Sequence, residues 1–276
     1  MKILVTGANG YLGAGVVKCL LDDGIQVIAT DISDEHIDNR AEIYVTDLFA
    51  VEEPFSYFRE PDIVLHMAWR DGFVHNSEAH IGDLLKHTKF IEKMAQNKVK
   101  RIAVMGSMHE VGFFEGCITE NTPCNPQSKY GIAKNALRQV TSLICGQNNV
   151  QYQWLRGYYI VGNTSVGCSI FSKITQAENE GKEEFPFTLG QNQFDFIDYD
   201  TFCEQVAATV EQNDITGIIN ICSGRPEKLC DRVERFIKEN KYSIKLNYGA
   251  FPDRPYDSKA VWGCSDKITQ IMVSRR

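Results

Sequence analysis

The sequence predicts an α/β fold built on a doubly wound parallel sheet. Three observations predict it: strand-like and helix-like segments alternate through the first half, a glycine triplet stands between the first of each, and an acidic residue closes the second strand. Lys2-Ile-Leu-Val-Thr6 reads as a buried strand, and Ala14 to Leu21 as a helix with one apolar face. Gly7, Gly10 and Gly13 therefore fall at a strand-to-helix turn. There the missing side chains let the backbone approach a pyrophosphate, and the helix N-terminus turns its free N–H groups toward the charge. A second strand, Gln26 to Thr30, ends at Asp31, 18 residues after Gly13, the spacing at which a carboxylate reaches an adenosine ribose.

The remaining elements follow in order. Ala41 to Thr46 is a third strand and Pro61 to Ala68 a fourth. His80 to Asn97 carries helical periodicity in Ile81, Leu84, Leu85, Ile91, Met94 and Ala95. Val99 to Gly106 is a fifth strand, Tyr130 to Cys145 a helix entered from a loop rich in Pro, Asn and Ser, and Gln151 to Arg156 a sixth strand. Right-handed crossovers put the C-terminal ends of such strands on one ligand-binding edge. After Gly157 loops and aromatic residues become more frequent. The expected division is a nucleotide-binding domain over 1–157, with a return to the sheet at about 195–222, and a smaller interleaved substrate-binding region over 158–276. Thr216 to Cys222 reads as one such return.

Composition narrows the function classes. The chain has 276 residues, 43% of them apolar, so a substantial core can form. Its net charge is −7 and it has no long basic run, which argues against nucleic acid as a partner, because neutralising phosphates takes clustered Lys and Arg. Nine cysteines, an odd number, show no Cys-x-x-Cys pair and no zinc-like spacing. They read as reduced thiols of a cytoplasmic protein, with no metal site. The N-terminus opens as a strand rather than a secretion signal, and no apolar run reaches the length needed to cross a bilayer.

Tyr130-Gly-Ile-Ala-Lys134 carries the chemistry. Residues four apart share a helix face, and an ammonium beside a phenol lowers its pKa from about 10. Such a phenol is a general acid/base for a proton on a sugar or alcohol oxygen. Ser107 follows the fifth strand at its C-terminal end, where a hydroxyl can hold the reacting oxygen between itself and Tyr130. Ser107, Tyr130 and Lys134 are the candidate catalytic residues.

In these features the chain resembles the extended short-chain dehydrogenase/reductases, of the nucleotide-sugar epimerase/dehydratase kind. The likeness runs over nearly the whole length. It includes Thr6-Gly-x-x-Gly-x-x-Gly13, Asp31, Asp47-Leu48, Leu65-His-Met-Ala68, Ser107-x-x-x-x-Gly112, Tyr130-x-x-x-Lys134, Arg156 with Gly162, Asp195-Phe-Ile197 and Arg254-Pro-Tyr-Asp257. The resemblance implies a Rossmann domain that binds NAD through Gly7, Asn9, Gly10, Tyr11, Leu12 and Gly13. It places Asp31 and Ile32 at the adenosine ribose, Asp47 and Leu48 beside the adenine, and Met67 and Ala68 along the cofactor. Lys134 holds the nicotinamide ribose in this picture, while Ser107 and Tyr130 grip the substrate. A carboxylate at Asp31, with Ile32 and Ser33 rather than arginines after it, predicts NADH over NADPH. The family also implies a homodimer formed through the Tyr130 helix and its neighbour.

Departures from the family pattern narrow the reaction. The dehydratases carry an Asp-Glu pair after the catalytic hydroxyl, where this chain has Met108 and His109. Enzymes similar to GDP-fucose synthase use a Cys where His109 stands, and a His where Asn163 or Thr164 stands. Tyr159 replaces a family Asn and Phe194 a family Arg, while Arg254 remains as a diphosphate ligand. Trp69, Met108, His109, Tyr159 and Arg254 are the candidate substrate contacts. Trp69 and Phe73 either stack on a sugar or base or close the rim of the cleft. His109 is either a substrate contact and auxiliary acid or a loop histidine bonded to backbone. Glu110 faces solvent or pairs locally, and His66 and His75 hold backbone or cofactor rather than metal. The implied activity is an NAD-dependent oxidoreductase on a nucleotide sugar, reducing a 4-keto-6-deoxyhexose nucleotide or running the reverse. The rivals are a 4-epimerase that retains its NAD and a non-catalytic NAD-binding regulatory protein.

Overall fold

The computed structural model describes residues 1–97, 99–162, 169–252 and 258–275. Its first half alternates as the sequence predicts: β1 (Lys2–Thr6), α1 (Tyr11–Asp22), β2 (Gln26–Asp31), β3 (Glu42–Val45), α2 (Pro54–Tyr57), β4 (Ile63–His66), α3 (Ala79–Gly82), α4 (Leu84–Gln96) and β5 (Arg101–Ser107). Then come β6 (Gly116–Ile118), α5 (Lys129–Asn148), β7 (Gln151–Gly157) and β8 (Tyr159–Val161). The second half supplies α6 (Ile170–Asn179), β9 (Glu184–Pro186), β10 (Gln193–Asp198), α7 (Tyr199–Glu211), β11 (Gly217–Ile221), β12 (Pro226–Lys228), α8 (Leu229–Glu239), β13 (Lys245–Asn247), β14 (Ala260–Gly263) and α9 (Asp266–Ser274).

Seven parallel strands form the main sheet in the order β11-β7-β5-β4-β1-β2-β3. The order reverses between β1 and β4, and at such a switch point the loops after the strands part to leave a crevice. Strand residues alternate between two buried faces. Ile3 and Val5 join a cluster that includes Val16, Leu20, Phe202 and Val206 of α1 and α7, while Leu4 joins Phe90, Ile91, Met94 and Leu137 of α4 and α5. Burial on both faces is why these strands read as continuous apolar runs.

A second sheet runs β12-β10-β14-β6, with β8 on β10, and only the β10–β12 pair in it is antiparallel. Its outer face and helices α6 and α8 enclose a separate core of Phe171, Ile174, Phe187, Phe196, Val233 and Phe236. The expected return to the main sheet is β11, which pairs with β7 from Gly217↔Gln153 to Ile221↔Gly157. The Asp195-Phe-Ile197 segment lies in β10 of the second sheet instead.

The helix expected over 80–97 is interrupted at Asp83, which separates α3 from α4. The Asp83 carboxylate there pairs with Arg70 at 2.7 Å and Lys86 at 2.8 Å. Ser128 caps α5, its Oγ accepting from Gly131 N at 3.1 Å, and this fixes where the helix carrying Tyr130 starts. Among the described residues no helix is long and apolar enough to cross a membrane.

Candidate active site

The glycine turn is built for close backbone approach. Gly7 has a φ of +71°, and a Cβ there would stand 2.6 Å from Ala68 N; a Cβ on Gly13 would stand 2.0 Å from Gly7 O. Met67 N donates to Thr6 O at 3.1 Å and Ala68 N to Thr6 Oγ1 at 3.3 Å, so Met67 and Ala68 run beside the turn. Asp31 closes β2 with both oxygens held: Oδ2 accepts from Asn9 N at 2.9 Å and Oδ1 from Ile32 N at 2.7 Å. Asn9 is braced in turn by Ser33 Oγ and by His36 N, each at 2.7 Å. Asp47 accepts from Phe49 N at 3.0 Å and caps the short turn that buries Leu48. Tyr11 opens α1 and stacks on Tyr199 at 4.4 Å, with the Tyr199 hydroxyl donating to Tyr11 O at 2.6 Å. Leu12 packs against the core beneath it. The nucleotide-site candidates thus share one edge of the sheet.

Ser107 ends β5 at the same edge and caps a tight turn over Met108–Glu110, its Oγ accepting from His109 N at 3.3 Å. Its hydroxyl lies beside the phenol of Tyr130, in the first turn of α5, near enough to act on that group's pKa. The turn lies directly on that helix: a Cβ on Gly131 would stand 2.4 Å from His109 O. Lys134, one turn on, does not reach the phenol as the sequence reading expects. Its Nζ donates to Met105 O at 2.8 Å and sits 3.8 Å over the Trp69 ring, 5.9 Å from the Tyr130 ring centre. The pKa consequence is also the reverse of that expectation. Burial pushes Tyr130 up to about 12, the Ser107 hydroxyl acting the other way, and burial lowers Lys134 to about 7 against the pull of Glu110. Desolvation outweighs the pairing because both groups are enclosed.

What encloses them is a set of rings. His75 stacks on Tyr130 at 5.5 Å and 11°, while Trp69, His80 and His109 present edges at 6.1, 5.2 and 6.1 Å. Tyr130 N donates to His75 O at 2.9 Å. Trp69 also stacks on His87 at 4.6 Å, and His87 hydrogen-bonds His66, which in turn bonds Thr6 Oγ1, each at 2.8 Å. Five of the chain's six histidines converge here. Sequence reasoning named His66, His75 and His109 but missed His80 and His87. The available signal was their seven-residue spacing, which repeats one helical face toward the end of the fourth strand. Burial lowers His109 to about 4, so its imidazole is neutral near pH 7.

Glu110 does not face solvent. It is fully buried, accepting from Arg156 Nε at 2.6 Å and Trp154 Nε1 at 2.8 Å, while Arg156 Nη1 donates to Thr119 O at 3.0 Å. Asp195 is likewise internal. It accepts from Ser223 N and Oγ, Gly224 N and Gly263 N at 2.6–3.0 Å, and so ties β10 to its neighbours. On the substrate side, Met108 is buried and Tyr159 lies between His109 at 6.5 Å and Phe194 at 4.9 Å. Phe73, in the loop after β4, is 58% exposed. Arg254, Asn163 and Thr164 lie outside the described residues. Among the described residues no group of His, Cys, Asp or Glu could hold a metal, and the eight described cysteines are free thiols.

Comparison with known proteins points to one family. The model of the NAD dependent epimerase/dehydratase family matches residues 3–222. The chain is 42% identical over 269 residues to the dTDP-6-deoxy-L-talose 4-dehydrogenase (NAD(+)) of Aggregatibacter actinomycetemcomitans, across 95% of this chain and 99% of the relative. The structure of a Thermotoga maritima UDP-glucose 4-epimerase with UDP-glucose superposes with a TM-score of 0.81 at 22% identity, covering 98% of this chain and 92% of that one. A Bacillus cereus UDP-glucuronic acid 4-epimerase in complex with UDP-glucuronic acid and NAD gives 0.83 at 19%, covering 99% and 93%. At those identities the two structures speak for the fold alone.

Proposed function

The chain belongs to the NAD-dependent epimerase/dehydratase family, and from that premise we propose that it oxidises or reduces C4 of a 6-deoxyhexose carried on a nucleoside diphosphate, with dTDP-6-deoxy-L-talose and its 4-keto form as the substrate pair. The observation that carries this reading is the Ser107 hydroxyl beside the Tyr130 phenol, at the strand edge that also holds the glycine turn and Asp31. NAD, bound over Gly7 to Gly13, supplies the hydride donor or acceptor. In the reducing direction C4 gains the hydride and its oxygen takes the proton of the Tyr130 phenol, while the Ser107 hydroxyl holds that oxygen. A phenol kept protonated by burial is the form this direction needs. In the oxidising direction the same oxygen returns the proton to Tyr130, and the Lys134 ammonium must approach the phenol to favour its ionised form.

The curated relative's activity and the coverage of both chains favour the dehydrogenase over the epimerase reading. Asp31, with both oxygens already oriented, supports NADH over NADPH, since a carboxylate bonds a 2′-hydroxyl and repels a 2′-phosphate. We assign nucleotide binding mainly to 1–157 and substrate binding mainly to 158–276, Arg254 gripping the diphosphate. A cytoplasmic homodimer completes the proposal, the dimer supported by exposed Leu85 on α4 and Ile132 and Leu143 on α5. The test is incubation of the purified protein with dTDP-6-deoxy-L-talose and either NAD⁺ or NADP⁺, following reduced nicotinamide. Stoichiometric NADH formation, faster than NADPH formation, is expected. Interconversion of sugar epimers without added cofactor would install the epimerase reading instead.

A further inference from the structure

His80 is buried, 1% exposed, and has no part in the proton transfer just described. Its two ring nitrogens are both committed. The Trp69 indole N–H can only donate, and it lies 3.1 Å from His80 Nδ1, so Nδ1 accepts. The ring proton is therefore on Nε2, which donates to Val74 O at 3.0 Å. Each bond ends on a segment that touches the proton-transfer pair. Trp69 lies with its face under the Lys134 ammonium at 3.8 Å. Val74 precedes His75, whose ring stacks on Tyr130 and whose carbonyl accepts from Tyr130 N at 2.9 Å. The His80 ring itself lies 5.2 Å from that of Tyr130.

We propose that His80 is a positioning residue for the proton-transfer pair: its Nδ1 acceptor fixes the Trp69 indole under the Lys134 ammonium, and its Nε2–H donor fixes the 74–75 backbone that seats His75 on Tyr130. The loop over 69–78 is turned by its own bonds at 71–77, Val74 N donating to Asp71 O and Ser77 N to Val74 O, each at 2.8 Å, but among the described hydrogen bonds only His80 links that turn to Trp69. A single imidazole spans it and clamps both ends. The Nδ1–H tautomer leaves both bonds unmade, and the doubly protonated ring leaves the Trp69 bond unmade.

The proposal rests on the assignment of Tyr130 and Lys134 to proton transfer, and the experiment separates the two. Steady-state kinetics with dTDP-6-deoxy-L-talose and NAD⁺ are compared for the wild type, His80→Phe, His80→Asn, His80→Gln and Tyr130→Phe, together with the ¹⁵N–¹H indole resonances of the three tryptophans. In His80→Phe, kcat falls about 100-fold, the scale of an ångström of misplacement. The KM for either substrate changes little, and the Trp69 indole resonance moves. His80→Asn places an amide oxygen where Nδ1 stands, so it keeps that resonance near its wild-type position and recovers part of kcat. Unchanged kcat in His80→Phe overturns the proposal. So does a loss of kcat as large in His80→Asn and His80→Gln as in His80→Phe, since each amide keeps one of the two bonds, which marks a packing role only. Should His80→Phe not fold, His80→Gln keeps a donor at the Nε2 position without the Nδ1 acceptor, and must lower kcat with the indole resonance displaced. Turnover persisting in Tyr130→Phe removes the assignment on which the proposal stands, and is told apart because it leaves the indole resonances unmoved.

Discussion

At the scale of single residues, the phenol and ammonium are governed by enclosure before they are governed by each other. Four rings surround Tyr130, and an indole face and a carbonyl hold Lys134. Tyr130→Phe removes the transferable proton and is expected to lower kcat by roughly 10²–10⁴-fold, with NADH binding retained by fluorescence titration. Lys134 adds a stability signature. Folding takes it from an ordinary 10.5 down to about 7, so between those values the unfolded chain holds a proton that the folded chain has lost, and stability rises with pH. Above 9 the buried thiols act in the opposite sense, as at Cys145, so the window to read is pH 7 to 9. Thermal melts of the wild type without added dinucleotide should gain on those of Lys134→Met across it; parallel curves would refute the origin assigned to that shift. The i, i+4 spacing was legible in the sequence, but the direction of the pKa shifts was not, because spacing within a helix carries no information about what other segments pack over it.

At the scale of elements, the tight turn after β5 is held from two sides. Behind it, the buried Glu110 carboxylate is locked by Arg156 and Trp154 of β7. In front, Gly131 lets the first turn of α5 lie against His109 O. Glu110→Gln leaves the Arg156 guanidinium buried without its counter-charge, which costs about 3–5 kcal/mol and should lower the urea midpoint accordingly. Gly131→Ala forces α5 and the turn apart by backbone contact, so it should cut kcat while leaving the dinucleotide affinity close to wild type. The strands, the glycine turn and the Tyr130 helix could all be read from periodicity and punctuation. The Glu110–Arg156 pair could not, since its partners stand 46 residues apart and meet only because β5 and β7 are neighbours. Asp83 shows a similar limit: apolar spacing continues through it, while the ion pairs at the break depend on Arg70 from the preceding loop.

At the scale of the whole molecule, the doubly wound sheet was legible because α/β alternation leaves few topologies open. Assignment of strands to the second sheet was not legible, for β6, β8, β12 and β14 are three or four residues long and too short to show a period. The proposed dimer belongs to this scale. Ile132 and Leu143, 47% and 61% exposed, lie three turns apart on one face of α5. Leu143→Arg is expected to shift sedimentation from dimer to monomer, and a wild type that sediments as a monomer at every concentration removes the dimer from the proposal.

The edge strand β11 closes the main sheet with residues 217–221, whereas its partner β7 ends at Gly157, and β6 waits for β14 at 260–263. During synthesis the first half of the chain therefore emerges from the ribosome with one flank of its sheet bare, and stays so for some sixty residues more. A nascent chain halted after Gly157 should bind trigger factor or Hsp70-type holdases more strongly than one released past Gly263, because unpaired strand edges are what such chaperones and aggregates both capture.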